Sequence, residues 1–535
     1  MRRVSLLVAV LAALSFASSA AASPLIVVWG RGWGHGIGMS QWGAFGLASG
    51  FKVDHPYTHQ EILGHYYTDT TVTTRDTSIV GVGILLASGR ASVHIGSANA
   101  FKVGAQTHAA GDPLITPTAA GRIKVEGLVG TFASPVTIAP GSSVLALGSA
   151  HYRGKLVVSV AGGRLRVVNR VNIEGYLKGV VPRESPSWWP LEALKAQAVA
   201  ARSYALTSGG KCGGYLCPDT RDQVYGGFDG EEASTNSAVT QTMGEVVDYG
   251  GAVAQTFFSS SSGGQTATPK DGFGPSAGDV PYLQSVADPA DLNGSNPNRF
   301  WKHIYTAGAF AHALGTGTPR DVTVTRNPSG RAGTVNVITA GGTAGRSGFT
   351  VRSSLGLRST RFWVIVQNVT PAPRRSACKK LVTINVLARG VANATLQQKA
   401  VTGGSWTAIP LTRVDATHMQ ATRRPCVTMD YRLVTAYATG PRAHHPVFPN
   451  IAFNARQRAG SLRGAVNPLL PGRTVAVLRL TSSGWRRVAT ATIRADGTFR
   501  ANFNVVAGDY RARVIPPTSS GLVTGYSPIL HVVTG

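Results

Sequence analysis

The stretch YLKGVVPRESPSWWPLEALKAQAVAARSYAL, residues 176–206, carries the clearest helix signal of the chain. Proline is favoured in the first helical turn and alanine has the highest helix propensity, so a helix is predicted from Pro190 to Leu206. Lys195 and Arg202 lie seven residues apart and project from one face of it. Small apolar residues recur at helical spacing and predict a stripe that can pack closely on a sheet: Leu191, Leu194, Ala198, Ala201 and Ala205.

Glu184 lies between Val180-Val181, predicted as the end of a strand, and this helix. Three prolines and two tryptophans surround it, which predicts a stiff loop with an apolar environment. Partial desolvation raises the pKa of a carboxyl group toward the range that a general acid needs, whereas Arg183 and the helix N-terminus lower it. From the residues alone, a helix-dipole partner or an exposed loop carboxylate is the more common role for a glutamate at such a position.

The rest of the chain is predicted to be mostly β-structure. Residues 78–170 read as short strands separated by Gly, Ser and Asn, and further strands are expected at 245–249, 252–258 and 334–339. Residues 371–376 resemble a linker. We therefore predict an α+β protein: a leader (1–22), a main mixed-sheet domain with one Ala-rich helix (23–370), a small disulfide-closed β domain (376–446) and an Ig-like β-sandwich module (447–535).

The first residues have the features of an export signal. Two arginines precede an apolar run that reaches about Ala17, and Ala20-Ala21-Ala22 before Ser23 fits a cleavage site. The run is too short to span a bilayer comfortably, and no later segment is long and apolar enough to do so. The sequence thus predicts a secreted protein without a transmembrane helix in its mature form.

The charge of the chain is strongly positive, with a formal net value of +27, although charged residues make up only 14% of it. The excess comes from scarce acids and not from dense Lys/Arg runs. No nucleic-acid-binding fingerprint is present, so nucleic acid is not expected as a partner. An anionic polymer of the cell envelope fits the diffuse positive field better, although a solvated surface without a specific partner gives the same composition.

Four cysteines in an exported chain predict disulfides. Cys212 and Cys217 are close in sequence, and Cys378 and Cys426 bracket a later segment, which favours local pairing within each set. A zinc site at the first pair is the alternative, but it needs two more ligands and no histidine is near in sequence. We expect no metal and no cofactor.

Residues 176–206 resemble the signature of the SpoIID/LytB (stage II sporulation protein D) family, in which a Val-Val-Pro-x-Glu segment precedes a Leu-Glu-Ala-Leu-Lys-Ala-Gln-Ala-Val-Ala-Ala-Arg-x-Tyr helix. Further segments agree with this family, and together they cover about residues 25–370: the Gly30–Ala44 module GRGWGHGIGMSQWGA, QVYG at 223–226, FFSSSSGG at 257–264, PYLQSV at 281–286 and LGLRSTRF at 355–362. The resemblance implies a cell-wall-associated protein that cleaves peptidoglycan glycan strands by a lytic-transglycosylase-type reaction. Because the family also includes enhancers of cell-wall amidases, a non-catalytic glycan-binding role beside an N-acetylmuramoyl-L-alanine amidase is the alternative.

The resemblance also implies roles for single residues. Glu184 matches the catalytic acid/base, and Lys195 and Arg202 match basic residues that line the cleft. Asp219 and Asp222 are the nearest alternatives for a second carboxylate. Other residues implied to contact substrate are Trp188, Tyr204, Tyr225, Ser260, Ser261, Ser262, Gly263, His35 and Gln41; for the last two, a structural hydrogen-bonding role is equally open.

The chain departs from the family pattern in two respects. The Gly-His-Gly-Ile-Gly-Met-Ser-Gln module normally closes the domain but here opens it (residues 25–70, ahead of a core at 78–365), which looks like a circular permutation. Its strand is expected to pack beside residues 355–362. In addition, Ser259 and Gln265 stand where the family often has histidines, so a metal-binding role is not expected at those positions.

Overall fold

The computed structural model describes residues 23–77, 80–454 and 460–533 and combines helices with many short sheets. The leader predicted at residues 1–22 lies outside the described residues. The N-terminal module contains β1 (Leu25–Gly30), β2 (Met39–Ser40), α1 (Gln41–Ala48), α2 (His59–Tyr66) and β3 (Thr71–Thr74). The capping box of Thr58 and Glu61 begins α2, because each side chain bonds the other residue's backbone N–H.

The first strand is built into the middle of a sheet made by much later segments. β1 lies antiparallel between residues 301–306 and residues 362–372, with Gly30 opposite both Trp301 and Phe362. Of residues 355–362, beside which this strand is predicted to pack, only Phe362 pairs with it, because residues 348–355 form a helix and the partner strand begins at Phe362.

Residues 80–172 form two packed sheets around one apolar core. Their orders are β4-β14-β13-β10-β6-β7 and β12-β11-β5-β8-β9. The strands are β4 (Gly81–Arg90), β5 (Val93–Ser97), β6 (Phe101–Val103), β7 (Gln106–His108), β8 (Leu114–Pro117), β9 (Ile123–Val125), β10 (Val136–Ala139), β11 (Leu145–Leu147), β12 (Ala150–Tyr152), β13 (Lys155–Ala161) and β14 (Arg164–Asn172). The short strands predicted here are confirmed.

Two helices follow β14 directly. Asn172 caps α3 (Ile173–Glu184), and after a short turn α4 runs over Leu191–Thr207, within one residue of the predicted helix. α4 is central, since it contacts α1, α2, α3, α5 and β15. The following elements are α5 (Ala233–Gln241), β15 (Glu245–Tyr249), β16 (Ala252–Val253), β17 (Phe258–Ser259) and α6 (Pro269–Phe273).

The segment 301–372 completes the main domain. It contains β18 (Trp301–Thr306), α7 (Ala307–Leu314), β19 (Asp321–Arg326), β20 (Ala332–Thr339), β21 (Gly342–Ser347), α8 (Gly348–Leu355) and β22 (Phe362–Ala372). β22 continues through Pro371, which lies opposite Ile384, so the linker predicted from residue 371 is wrong at its start.

One sheet continues across the expected domain boundary, in the order β18-β1-β22-β24-β28-β27. The strands of this region are β23 (Ser376–Ala377), β24 (Val382–Arg389), β25 (Ala394–Ala400), β26 (Gly403–Ile409), β27 (Thr412–Arg413), β28 (His418–Arg423), β29 (Met429–Thr435) and β30 (Ala443–His445). The second β region thus extends a sheet of the main domain.

The last region packs two sheets on one core. Their orders are β32-β33-β36 and β35-β34-β37-β38, with β39 also paired to β37. The strands are β31 (Val447–Phe448), β32 (Asn450–Asn454), β33 (Ser461–Asn467), β34 (Thr474–Thr481), β35 (Gly484–Thr492), β36 (Thr498–Asn502), β37 (Gly508–Val514), β38 (Gly525–Tyr526) and β39 (Leu530–Val532). Across the described ranges, none of the helices has the length and apolar character needed to cross a membrane.

Candidate functional site

Glu184 is the last residue of α3 and not part of a loop, which corrects the prediction. Pro182 lies inside the helix and has no N–H for a bond to the preceding turn, so the helix ends two residues later. Ser185 closes it by donating its backbone N–H to the carbonyl of Val181 at 2.9 Å. The Glu184 side chain is partly exposed at this helix end.

Two donors from distant segments hold the Glu184 carboxylate. The backbone N–H of Val224 donates to Oε1 at 2.9 Å, and Nε2 of Gln41 donates to Oε2 at 3.1 Å. Gln41 is the first residue of α1, so the glycine-rich module supplies it. The same Nε2 lies 3.3 Å from Oε1 of Gln197 on α4, which also accepts from the Ser185 hydroxyl at 3.4 Å.

The environment of Glu184 favours its protonated form. Burial raises the pKa of this carboxyl group, and the hydrogen bonds from Val224 and Gln41 oppose the rise because they stabilise the charged form. Burial outweighs the two donors, so the pKa lies above its ordinary value. A carboxyl group of this kind can hold a proton closer to neutrality than an exposed glutamate can.

Four aromatic side chains form a cluster that we call the aromatic wall: Trp42, Phe45, Trp188 and Trp189. The first two follow Gln41 in the sequence, and the two tryptophans 188 and 189 follow Glu184. Trp189 is buried and touches Trp42 and Phe45, at centroid distances of 4.9 Å and 5.3 Å. Trp188 packs edge-on against Phe45, and 66% of its surface is exposed. Trp189 therefore anchors the wall, whereas Trp188 offers a ring to solvent.

Residues 161–249, which include Glu184, α4 and Val224, match the family model described as stage II sporulation protein SpoIID. The chain carries a SpoIID domain. The match extends from the last residue of β13 to the last residue of β15.

Curated relatives align with parts of this chain. An uncharacterized protein of Brachyspira hyodysenteriae is 42% identical over 144 residues, which are 26% of this chain and 38% of that protein. The amidase enhancer of Bacillus subtilis is 46% identical over 116 residues, 22% of this chain and 15% of the enhancer. Stage II sporulation protein D of Bacillus amyloliquefaciens is 31% identical over 217 residues, 36% of this chain and 60% of that protein. The alignments thus span less than two thirds of each of these relatives.

Arg202 does not line a cleft in the SpoIID domain, which corrects the prediction. Its side chain is fully buried and forms a two-pronged ion pair with Glu174, Nε to Oε1 at 2.9 Å and Nη2 to Oε2 at 2.6 Å. It also donates to the carbonyl of Glu245. Arg202 therefore ties α4 to α3 and β15. Lys195, one end of the same helical face, is partly exposed and pairs with Glu192 at 2.7 Å; its contact with substrate stays a prediction.

The serine run is largely internal, which corrects the prediction that Ser261, Ser262 and Gly263 contact substrate. Asp291 accepts hydrogen bonds from the Ser261 hydroxyl at 2.8 Å and from the Gly263 N–H at 2.9 Å. Asp288 accepts one from the Ser262 hydroxyl at 2.7 Å. All five residues are buried, and only Ser260 of the predicted set is partly exposed.

The aspartate pair formed by Asp288 and Asp291 is itself fully buried. Tyr66 donates to Asp288 at 2.9 Å and Ser40 donates to Asp291 at 2.8 Å, so both carboxyl groups join the N-terminal module to the serine run. Burial raises the pKa of both groups, and the charge of Asp291 adds to the rise at Asp288.

Tyr225 and Tyr204 also have internal partners. The Tyr225 hydroxyl donates to Asn169 at 2.9 Å from a buried position, so its predicted substrate contact is wrong. Tyr204 is 5% exposed and donates to Asp222 at 2.9 Å, so its predicted substrate contact is wrong as well. Asp222 in turn accepts from the N–H of Cys217 at 2.9 Å and so supports the disulfide loop. Asp222 therefore does not serve as a second carboxylate.

The local disulfides predicted from the sequence are present, Cys212 with Cys217 and Cys378 with Cys426. Asp219, the other alternative carboxylate, is exposed and paired with Arg221 at 2.7 Å. In the described part of the chain, no three His, Cys, Asp or Glu side chains are grouped so that they could hold a metal ion.

His35 lies in a turn of the glycine-rich module, where its Nδ1 accepts the N–H of Ile37 at 3.0 Å. Its ring packs on Phe273 at a centroid distance of 4.8 Å. Burial, together with the charges of Arg331 and Arg352, lowers the pKa of His35 to about 3. The imidazole is therefore neutral at ordinary pH and cannot act as a cationic ligand for an acidic substrate.

The sequence analysis missed Gln197 and Val224. Gln197 is 1% exposed and its Nε2 has no hydrogen-bond partner among the described residues. A polar residue within an alanine-rich packing helix is the signal that could have revealed it. Val224 acts through its backbone, which leaves no signal in the side chain.

Proposed function

We propose that this protein cleaves peptidoglycan glycan strands by a lytic-transglycosylase-type reaction with Glu184 as the acid and base. The observation that carries the proposal is a partly exposed carboxyl group with a raised pKa, fixed by Gln41 and Val224 at a helix end. The similarity to sporulation protein D and the family match over residues 161–249 support it.

The proposed reaction needs one carboxyl group. Protonated Glu184 gives its proton to the glycosidic oxygen between N-acetylmuramic acid and N-acetylglucosamine, and the bond from that oxygen to C1 of muramic acid breaks. The C6 hydroxyl attacks C1 and closes a 1,6-anhydro ring, and its proton returns to the Glu184 carboxylate. Because the nucleophile belongs to the substrate, the second carboxylate of ordinary glycosidases is not required.

The residues around Glu184 have distinct proposed roles. The N–H of Val224 and the amide of Gln41 hold the carboxyl group in one orientation, and Gln197 positions Gln41. The exposed ring of Trp188 stacks on a sugar of the bound strand, since aromatic faces give large contact area at low entropic cost. Lys195 and Ser260 are further proposed contacts.

We place this reaction outside the cytoplasm, at the cell wall. The two disulfides support this location, because disulfides persist in oxidising compartments and are rare in the cytosol. The positive net charge of +27 is also compatible with retention on an anionic wall.

A second function is favoured by one specific observation, the similarity to the Bacillus subtilis amidase enhancer over 116 residues. In that case the SpoIID domain binds glycan strands without cleaving them and stimulates a partner N-acetylmuramoyl-L-alanine amidase. Gln41, Glu184 and Trp188 then form a binding site only.

Mass spectrometry of purified glycan strands incubated with the protein separates the two functions. We expect 1,6-anhydro-muramic ends with the wild type, none with Glu184→Gln, and wild-type yield with the control Asp219→Asn, which removes an exposed carboxylate that has its own arginine partner. Unchanged strands with the wild type, combined with faster hydrolysis by an added amidase, would reject cleavage and support the enhancer function.

A further inference from the structure

An open groove of about 970 Å³ lies on the C-terminal two-sheet region. Its floor is the outer face of the sheet β32-β33-β36. Strand alternation sends Ile451, Leu462 and Phe499 into the core, so the intervening side chains face outward. The outward residues that line the groove are Ala452, Asn454, Arg463, Ala465 and Arg500, and Arg494 and Asp496 lie beside them.

The register of this sheet places two positive charges against each other. Arg463 of β33 is directly opposite Arg500 of β36, and Asn454 is opposite Arg463 on the other side. Like charges directly opposite in a sheet destabilise it. This placement costs stability in the free protein, and an anion bound between the two guanidinium groups would offset that cost.

The three arginines of the groove, Arg463, Arg494 and Arg500, form no ion pair within the described ranges. The acid next to them, Asp496, accepts the N–H and the hydroxyl of Thr498 at 2.9 Å and 2.7 Å. His531 at the groove edge is bonded to Asp509. The bonds from Thr498 lower the pKa of Asp496, and Asp496 also lies close enough to Arg494 for the arginine's charge to help to lower it. Arg463 and Arg500 are therefore the guanidinium groups most available to a ligand.

The floor of the groove favours a chain-like ligand. Ala452, Ala465 and Thr498 lie directly opposite one another across the three strands, in the row next to the arginines. Because these side chains are short, they leave room for an extended ligand beside the guanidinium groups. Phe499 is 2% exposed, so the described lining offers no Phe, Tyr or Trp ring on which a sugar or a base could stack. Recognition here rests on charge and on the forked geometry of arginine.

We propose that the arginine groove binds an anionic polymer whose charges are phosphodiester groups on a flexible backbone without bases. A guanidinium group binds phosphate oxygens in a two-pronged arrangement, and Arg463 and Arg500 together can hold one phosphate while Arg494 holds the next. The proposal does not depend on Glu184 or on glycan cleavage, because the groove belongs to a region remote in sequence from the SpoIID match.

The test measures binding of the full-length protein to poly(glycerol phosphate) by titration calorimetry at several salt concentrations. The variant Arg463→Gln/Arg500→Gln is compared with the control Arg486→Gln/Arg487→Gln, which removes the same charge from exposed positions on β35. We expect the groove variant to lose tenfold or more in affinity and to show a shallower salt dependence, and the control to change less than about twofold.

Equal losses in the two variants would overturn the proposal, because net charge alone would then explain binding. Absence of binding to poly(glycerol phosphate) would also overturn it. Equal or tighter binding of polyglutamate would assign the groove to carboxylates, and equal or tighter binding of single-stranded DNA would assign it to nucleic acid. Either result rejects a phosphodiester polymer without bases as the ligand. Thermal unfolding checks that the groove variant folds, and the loss of opposed charges should leave its midpoint unchanged or higher.

Discussion

Gln41 donates a hydrogen bond to Oε2 of Glu184 at 3.1 Å, although 143 positions separate the two residues in the sequence. The glycine-rich module thus reaches the carboxyl group of the SpoIID domain directly. Because the bond stabilises the charged carboxylate, it also influences the pH at which Glu184 holds its proton.

Replacing Gln41 by alanine should move the pH dependence of strand cleavage. Loss of this donor raises the pKa of Glu184 further, so the alkaline limb of the pH–rate profile is expected to shift upward by up to about one unit, equivalent to about 1.4 kcal/mol. Initial rates of anhydro-end formation between pH 4 and pH 9 measure the shift. The control Gln255→Ala removes a partly buried glutamine from a different segment. A downward shift for Gln41→Ala would contradict the role assigned to this bond.

Replacing Arg202 by methionine should destabilise the SpoIID domain. The change leaves Glu174 buried without its partner, a situation that costs about 3–5 kcal/mol. Lys195→Met is the control, because its pair with Glu192 is near the surface and contributes about 0–1 kcal/mol. Calorimetric unfolding measures both variants. If Arg202→Met kept the wild-type midpoint but lost strand binding, Arg202 would be a cleft residue after all.

The buried aspartate pair should make stability fall as pH rises. The raised pKa of Asp288 means that the folded state holds more protons than the unfolded state above about pH 4, so ionisation toward neutral pH opposes folding. Asp288→Asn removes this group from the titration. Between pH 5 and pH 8, the free energy of unfolding of the variant should rise by about 1 kcal/mol or more relative to that of the wild type.

Thermal unfolding of Asp288→Asn at both pH values provides the measurement. Asp219→Asn serves as control, because Arg221 lowers the pKa of Asp219 to about 2, below this window. A constant difference between the wild type and Asp288→Asn across the window would show that the pair does not titrate as described.

Replacing Gly36 by alanine should disrupt the glycine-rich module. Gly36 has φ of 77°, and a Cβ there would lie 1.7 Å from Nη2 of the buried Arg331. Backbone strain and displacement of this side chain together should cost about 2 kcal/mol or more. Gly64→Ala is the matched control: it lies exposed in α2 with open space around it and should gain about 0.5–1 kcal/mol. Chemical denaturation compares the two, and similar effects would contradict the close packing on Arg331.

The sequence predicted α4 to within one residue because propensity, apolar spacing and the preceding proline all agree there. The same reasoning was wrong for Val180, Val181 and Glu184, which are helical. Two β-branched residues and a proline suggest a strand and a loop, whereas the cap at Asn172 and the burial of Tyr176 stabilise a helix. Tertiary packing therefore determines that residues 173–184 form a helix.

The candidate site was predictable only in part. Spacing shows that Lys195 and Arg202 share a face, but it does not show that the end of that face near Arg202 is covered by α3 and β15. The partner Glu174 carried no distinguishing signal in sequence. Likewise, no local sequence pattern links Ser261 and Ser262 to Asp291 and Asp288, the aspartates that accept their hydrogen bonds.

The position of β1 has a consequence for biosynthesis. Its neighbours on both sides, β18 and β22, are synthesised late in this domain, so the earliest strand stays unpaired until the ribosome has passed Thr306 and lacks its second neighbour until β22 has followed. During that interval an apolar segment with two free edges is exposed to aggregation or to a chaperone. Gln41 follows β1 closely, so a nascent chain arrested before residue 301 would contain Glu184 while the strand that helps to position Gln41 still lacked both neighbours.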